Sequence, residues 1–155
     1  MEHIGDIRTP FTSIENMPIQ PRGAAEIMGE VHVLEQYAEG LKDLEGFSHI
    51  YLIYLFHKAD KMRLTVVPFM DTKQRGVFAT RSPLRPNHIG LSIVQLFHIE
   101  KNIVTVKGID VVDRTPLLDI KPYVEAFDSV ENPTSGWMTA EAEKVARARS
   151  DDRFK

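Results

Sequence analysis

Ile89-Gly-Leu-Ser-Ile-Val-Gln-Leu-Phe-His-Ile-Glu-Lys-Asn-Ile-Val-Thr-Val-Lys-Gly-Ile-Asp-Val-Val112 is the stretch that decides the fold. Two apolar-rich runs, Ile89 to Ile99 and Ile103 to Val112, flank the short polar turn Glu100-Lys101-Asn102. Such a pattern predicts paired antiparallel strands joined as a hairpin. Working outward, Glu2 to Thr9 alternates loosely and ends at Pro10, as a short strand does. Phe11 to Gly23 is a connection rich in proline, and Glu26 to Leu34 reads as a second strand. Gln36 to Leu44 is a short helix or turn, since Gly40 argues against a long helix. Ser48 to Phe56 is a continuous apolar and aromatic run, predicting a strand buried on both faces. Arg63 to Val67 is a further strand, stopped by Pro68.

Near the end, a helix is predicted from about Ala140 to Arg149. Thr139 is its N-cap, Glu141 and Glu143 lie in its first turn, and Arg147 and Arg149 in its last. Strands predominate and follow one another closely. The expected class is therefore mainly β, a small antiparallel β-barrel with a C-terminal helix. Residues 1–137 are expected to form the barrel, and residues 138–155 a helix and tail of the same domain.

The 155 residues are enough for one domain with its own core, and 43% hydrophobic with 26% charged residues is an ordinary globular balance. There is no cysteine, which excludes disulfides, thiolate catalysis and cysteine-ligated zinc. Six histidines are scattered without a ligand pattern, so no metal is expected. Met1 to Asp6 lacks the basic and apolar regions of a signal peptide, and no apolar run approaches the ~20 residues of a membrane span. The expectation is a soluble cytoplasmic protein. The net charge of -3 lacks the overall basic footprint of a nucleic-acid binder. Lys73, Arg75, Arg81 and Arg85 nevertheless cluster in one segment.

That segment, Arg75 to Ser92, interleaves arginines with Ser82-Pro83 and Pro86-Asn87, and Val77, Phe78, Ile89 and Leu91 give it something to pack with. It reads as a rigid cationic loop that holds a polar ligand. Arg81 and Arg85 suit bidentate contact with a carboxylate or phosphate. Asn87 offers a donor and an acceptor to a purine edge or a ribose. The competing reading is a structural loop whose arginines cap carbonyls. Asp110-Val111-Val112-Asp113 is the second candidate, with carboxylates for ribose hydroxyls or an ammonium and backbone groups for an adenine edge. The alternative is that Asp113 and Thr115 close a turn. His57-Lys58, after the buried run, is either a core-edge pair or part of a site. Asp119, Lys121 and Tyr123 share one face if extended, and either orient an acceptor amine or form a structural ion pair. The dinucleotide pattern G-x-G-x-x-G is absent.

Several of these segments resemble one family. They are Ile4-Gly5-x-Ile7-x-Thr9-Pro10, Gly40-Leu41-x-x-Leu44-Glu45-Gly46-Phe47-Ser48-His49, Phe56-His57, the run Arg75 to Ser92, Gly108 to Tyr123, and Gly136-Trp137. In this order they are similar to the TsaA-like, or TrmO, family of small β-barrel methyltransferases. Those enzymes add a methyl group to N6 of threonylcarbamoyl-adenosine at position 37 of tRNA. The family's loop reads close to R-x-G-V-F-A-T-R-S-P-x-R-P-N-P-I-G-L-S, and this chain departs from it at His88, where proline is usual. The resemblance implies S-adenosylmethionine as methyl donor, the tRNA anticodon loop as partner, and a homodimer. It implies a cofactor site from Pro18, Ile19, Gln20, His57, Lys58, Arg81, Arg85, Asn87, Asp110, Val111, Val112 and Asp113. Relatives often have Pro-Arg-Gln at the first of these, so Arg22 is expected to replace the guanidinium missing at Ile19. The catalytic base is not identified; His57, Asp119 and Tyr123 are the candidates. Larger members carry a C-terminal domain, so this chain resembles a short form. The alternative function is an S-adenosylmethionine-binding module, or a small-molecule methyltransferase, without tRNA activity. A basic band from Arg75 and Arg85 to Lys144 and Arg147 would favour tRNA.

Overall fold

Eight strands form in the computed structural model, which describes residues 1–15, 17–18, 24–138 and 147–151. They are β1 (Gly5–Arg8), β2 (Met28–Val33), β3 (His49–Leu55), β4 (Thr65–Val66), β5 (Arg75–Gly76), β6 (Ile89–Glu100), β7 (Ile103–Lys107) and β8 (Thr115–Pro122). Six close into a barrel in the order β1-β2-β7-β6-β3-β8, with every neighbouring pair antiparallel. Closure removes the exposed sheet edges that an open sheet of this size would leave. β4 and β5 form a separate two-stranded sheet at the side.

The barrel interior is filled by alternate residues of each strand. Ile7, Val31, Val33, Ile50, Leu52, Val94, Val104, Val106 and Leu117 are all buried there. The alternation follows from the two-residue repeat of a strand. The predicted hairpin is β6–β7, and its turn places Lys101 at φ 54. Two corrections concern its neighbours. β3 is buried on one face only: Ile50, Leu52 and Tyr54 point inward, whereas His49 is exposed and Tyr51, Ile53 and Leu55 are half-buried. The apolar run therefore marks an inner face plus an outer apolar face, not a fully buried strand. β7 also stops at Lys107 instead of running to Val112, because Gly108 turns the chain at φ 88, a conformation suited to glycine. Residues Ile109 and Val111 then plug the end of the core, and the Asp110 carboxylate between them accepts from the inward-facing Ser92 hydroxyl.

β8 was not among the strands expected from the sequence, and it contains Pro116 and Pro122, residues unusual inside a central strand. It nevertheless sits between β1 and β3. Leu117 pairs with Tyr54 and Asp119 with Ile53, so Leu118 is an extra, bulged residue. The bulge lets Leu117 and Ile120 both face the core despite their odd spacing. The strand expected at Arg63 to Val67 shrinks to β4. Beyond β8, Glu125–Asp128 forms a single helical turn, α1. The helix expected over 140–149 falls mainly outside the described residues, as do Thr139, Glu141 and Glu143. At its expected end, Arg149 pairs in antiparallel fashion with Pro18, so the backbone is not helical there.

Candidate functional site

Residues 77–88 are shaped by hydroxyl groups. Val77 is buried with Val66 and Leu84 in a small satellite core that fixes the start of the loop. The Thr80 hydroxyl donates to the Val77 carbonyl at 2.8 Å and accepts from the Ser82 N–H at 3.2 Å. The Ser82 hydroxyl in turn accepts from the Leu84 N–H at 3.2 Å. The guanidinium of Arg85 donates to the carbonyls of Thr80 and Ser82 at 3.2 and 3.4 Å. Arg85 thus caps loop carbonyls, as the structural reading supposed, while also lining the cavity described next.

His88 takes the left-handed conformation, φ 49. Its N–H donates to the Arg85 carbonyl at 3.1 Å, its ring Nδ1 meets the Pro83 carbonyl at 2.8 Å, and its own carbonyl accepts from Phe56 N–H at 2.7 Å. Histidine is tolerated in this region; proline, with φ locked near −65°, is not. Both the side chain and the backbone of His88 therefore hold the loop closed.

The loop forms one wall of a cavity of about 670 Å³, a size common for small-molecule sites. Arg81, Arg85, Asn87, His57, Lys58 and Pro18 line it, and so do Asp110, Val111 and Val112. Four separate segments of the chain thereby meet in one place. Ile19, Gln20 and Arg22 lie outside the described residues. Asp113 does not line the cavity. Its carboxylate accepts from the Thr9 N–H at 3.0 Å and its N–H donates to the Phe11 carbonyl at 2.7 Å, tying the N-terminal loop to the turn. Asp119 and Tyr123 are also elsewhere. Asp119 pairs with Lys121 at 3.1 Å on the exposed outer wall, and Tyr123 packs against His49 and Tyr51. Of the three base candidates, only His57 reaches the cavity. Burial, helped by the charge of Lys58, pushes its pKa below the usual histidine range, so the neutral imidazole prevails at neutral pH.

At the floor of the site, Asp110 accepts a 2.7 Å hydrogen bond from Ser92, whose hydroxyl also lies 3.0 Å from that of Tyr54. Burial raises the Asp110 carboxyl to about 6, against the opposing pull of the Ser92 bond and the Arg81 charge. Burial also raises the Tyr54 phenol, which stays protonated and able to donate. Gly90 belongs to the same construction, because a Cβ there would overlap the Tyr54 ring.

The carbonyls of Val111 and Val112 accept from the hydroxyls of Thr9 and Thr115 at 2.8 and 2.6 Å, which sets the path of that wall. An apolar side is made by Phe69, Met70, Ile89 and Leu91. This donor set fits a zwitterionic nucleoside: a carboxylate for an ammonium or ribose, guanidinium groups for a carboxylate, and an apolar wall for a base.

Sequence reasoning missed Ser92, Tyr54, Phe69, Met70, Trp137 and Ser150. Ser92 carried a signal, as a polar residue at an inward position of an otherwise apolar strand. Trp137 lines the cavity, donates from Nε1 to the Ala79 carbonyl at 2.8 Å, and carries the Arg75 guanidinium 5.2 Å from its ring centre. Ser150 bonds the backbone of Met17 at 2.8 and 2.9 Å, bringing two distant segments to the rim. Neither could be read from spacing alone. Among the described residues no group of three or more His, Cys, Asp or Glu side chains could hold a metal ion. No helix among them is long and apolar enough to cross a membrane.

Residues 6–129 match the family model of the tRNA-methyltransferase O N-terminal domain. The chain belongs to the tRNA-methyltransferase O family. It is 49% identical over 151 residues to a "Probable S-adenosyl-L-methionine-binding protein" of Pyrococcus abyssi, covering 97% of this chain and 82% of that one. It is 36% identical to the tRNA (adenine(37)-N6)-methyltransferase of Escherichia coli, covering 88% of this chain and 62% of that one. The crystal structure of TrmO from Pseudomonas aeruginosa superposes with a TM-score of 0.73 at 39% identity, over 87% of this chain and 60% of that one. The chain thus spans about three fifths of the Escherichia coli and Pseudomonas aeruginosa proteins and most of the archaeal one. The family and the barrel expected from the sequence motifs are those found.

Proposed function

We propose that this protein is an S-adenosylmethionine-dependent methyltransferase acting on N6 of adenosine 37 in tRNA, with the threonylcarbamoyl form as substrate. The observation that carries the reading is the meeting of the Arg81–Asn87 loop, His57-Lys58 and Asp110–Val112 around one cavity, in a chain of this family. S-adenosylmethionine supplies a methyl group on a sulfonium, already activated for attack by nitrogen. Asp110 would hold its ammonium or ribose hydroxyls, and Arg81 its carboxylate. The chain then has to align the acceptor and exclude water. The N6 proton has to leave when the acceptor is methylated; His57, which lines the cavity and is held neutral at neutral pH, would take it.

The anticodon loop is the expected partner, since a loop base is cheaper to expose than a paired one. Residues 1–137 form the cofactor-binding barrel in this reading, and the protein works in the cytoplasm. We also propose a homodimer. β6 presents Leu91, Ile93 and Phe97 outward, 51%, 42% and 67% exposed. Leu91 lines the cavity as well, so this apolar face is continuous with the site. A second copy is the occupant that would cover the face and complete the site. Lys144, expected in a basic band with Arg75, Arg85 and Arg147, lies outside the described residues.

The second reading is a cofactor-binding module or small-molecule methyltransferase. It is favoured by the net charge of -3 and by the length match to the archaeal protein named as a binding protein. The deciding experiment is transfer of labelled methyl from S-adenosylmethionine to bulk tRNA with and without threonylcarbamoyl-adenosine. Transfer to the modified pool alone supports the enzyme reading. Cofactor binding by calorimetry without any transfer to tRNA would move the assignment to the second.

A further inference from the structure

We propose that the ring of Phe78 is the stacking platform for a nucleobase of the RNA substrate at the cavity mouth. The inference rests on the tRNA reading above and adds to it a residue with a defined contact. Phe78 lines the cavity, yet is 75% exposed. A single exposed apolar residue ordinarily means little. This one is held outward by its neighbours on both sides. Val77 is 1% exposed and donates its N–H to the Leu64 carbonyl at 2.9 Å. Ala79 offers its carbonyl to Trp137 Nε1, and Thr80 closes the turn onto the Val77 carbonyl through both its N–H and its hydroxyl. The ring therefore cannot fold into the core without breaking this turn, and the backbone that carries it has little freedom left to lose when a ligand stacks on it.

The charge around the ring agrees. Lys58, Arg81 and Arg85 line the same cavity, and an aromatic face among cations is how single-stranded bases and their phosphates are held together. The ammonium or ribose of the cofactor is assigned to Asp110, which bonds the buried Ser92 hydroxyl, whereas Phe78 stands exposed at the rim. Of the apolar face assigned to a second copy, Leu91 shares the cavity with Phe78 while Ile93 and Phe97 do not line it, so the test reads oligomeric state beside RNA affinity.

The test uses the full chain, a fluorescent stem-loop RNA carrying threonylcarbamoyl-adenosine in its loop, and the variants Phe78→Ala and Phe78→Trp. Phe78→Ala should weaken RNA binding roughly ten- to a hundredfold, the range for losing one base stack. Cofactor affinity by calorimetry and the sedimentation coefficient should stay unchanged, and Phe78→Trp should restore RNA affinity. Equal RNA affinity for Phe78→Ala overturns the proposal while leaving the tRNA reading intact, provided the unmutated protein binds the stem-loop. A parallel fall in cofactor affinity, or a change in oligomeric state, overturns it too, placing the ring in the cofactor pocket or in a subunit interface. Failure of the unmutated protein to bind the RNA overturns both.

Discussion

Replacing Asp110 by asparagine is expected to make the protein more stable at neutral pH while weakening its hold on the cofactor. Burial raises this carboxyl from 3.8 to about 6. That difference corresponds to roughly 3 kcal/mol between the protonated and ionised folded forms, at about 1.36 kcal/mol per pH unit. Because the folded value is raised, the favourable contribution is complete below the unfolded value of 3.8 and is lost as pH rises through about 6. At pH 8 the protein carries the full cost of an ionised Asp110; near pH 4 it carries little. Asparagine keeps the oxygen that accepts from Ser92 and removes the charge. The variant should therefore gain up to about 3 kcal/mol at pH 8, or roughly 6–12 °C in Tm for a chain of this size. Water entering the cavity will reduce that figure. The gain should shrink steadily between pH 6 and pH 4. The assay is urea unfolding of both proteins without cofactor across pH 4–8, with cofactor affinity measured alongside. A variant less stable than the parent at pH 8, or a stability difference that does not change with pH, would refute the reasoning.

Three further expectations follow from the same geometry. Gly90→Ala should cost about 1–3 kcal/mol by pushing Tyr54 off Ser92, read as a fall in Tm; an unchanged Tm sinks the packing argument. His88→Pro restores the residue usual in the family, and the sequence alone suggests that it should stiffen the loop and improve binding. The observed φ of 49 and the bond to the Arg85 carbonyl predict the reverse, a cost of about 3 kcal/mol or more and a poorer cofactor affinity. Calorimetry showing tighter binding would count against that conformation. His57→Gln should lower kcat by about 10²–10⁴ with little change in the KM for cofactor. Since burial holds His57 below its ordinary value, the parent's rate should rise with pH through a limb lying below pH 6.5, and the variant should lose that limb; a limb that survives assigns the proton to another group.

Much of the barrel was legible because period-two alternation is a local property. The β6–β7 hairpin, β1 and β2 follow from where apolar residues recur and where turns interrupt them. The loop at 75–92 was legible as a rigid cationic element because proline, serine and arginine at that density have few other uses. β8 was not, because only pairing with β1 and β3 gives a segment containing Pro116 and Pro122 a reason to be extended. The double-sided burial expected of β3 failed for a related reason: apolar content does not say which neighbour covers which face. The candidate residues divided in the same manner. Residue type and spacing nominated Asp110 and Asp113 as carboxylates flanking a strand end, and Asp119 as one of a face shared with Lys121 and Tyr123. The turn at Gly108 carries Asp110 to the cavity, the N-terminal loop claims Asp113 through Thr9 and Phe11, and the bulge at Leu118 leaves Asp119 on the outer wall beside Lys121.

By itself, then, the sequence determined the barrel class, the family, and the chemistry on offer, since each depends on residue types and their local order. Which of those groups share one cavity, and which of them titrate abnormally there, was decided only by the closed barrel. Burial and proximity are relations between residues such as Ser92 and Asp110, or Ala79 and Trp137, that lie far apart along the chain and meet only when it folds.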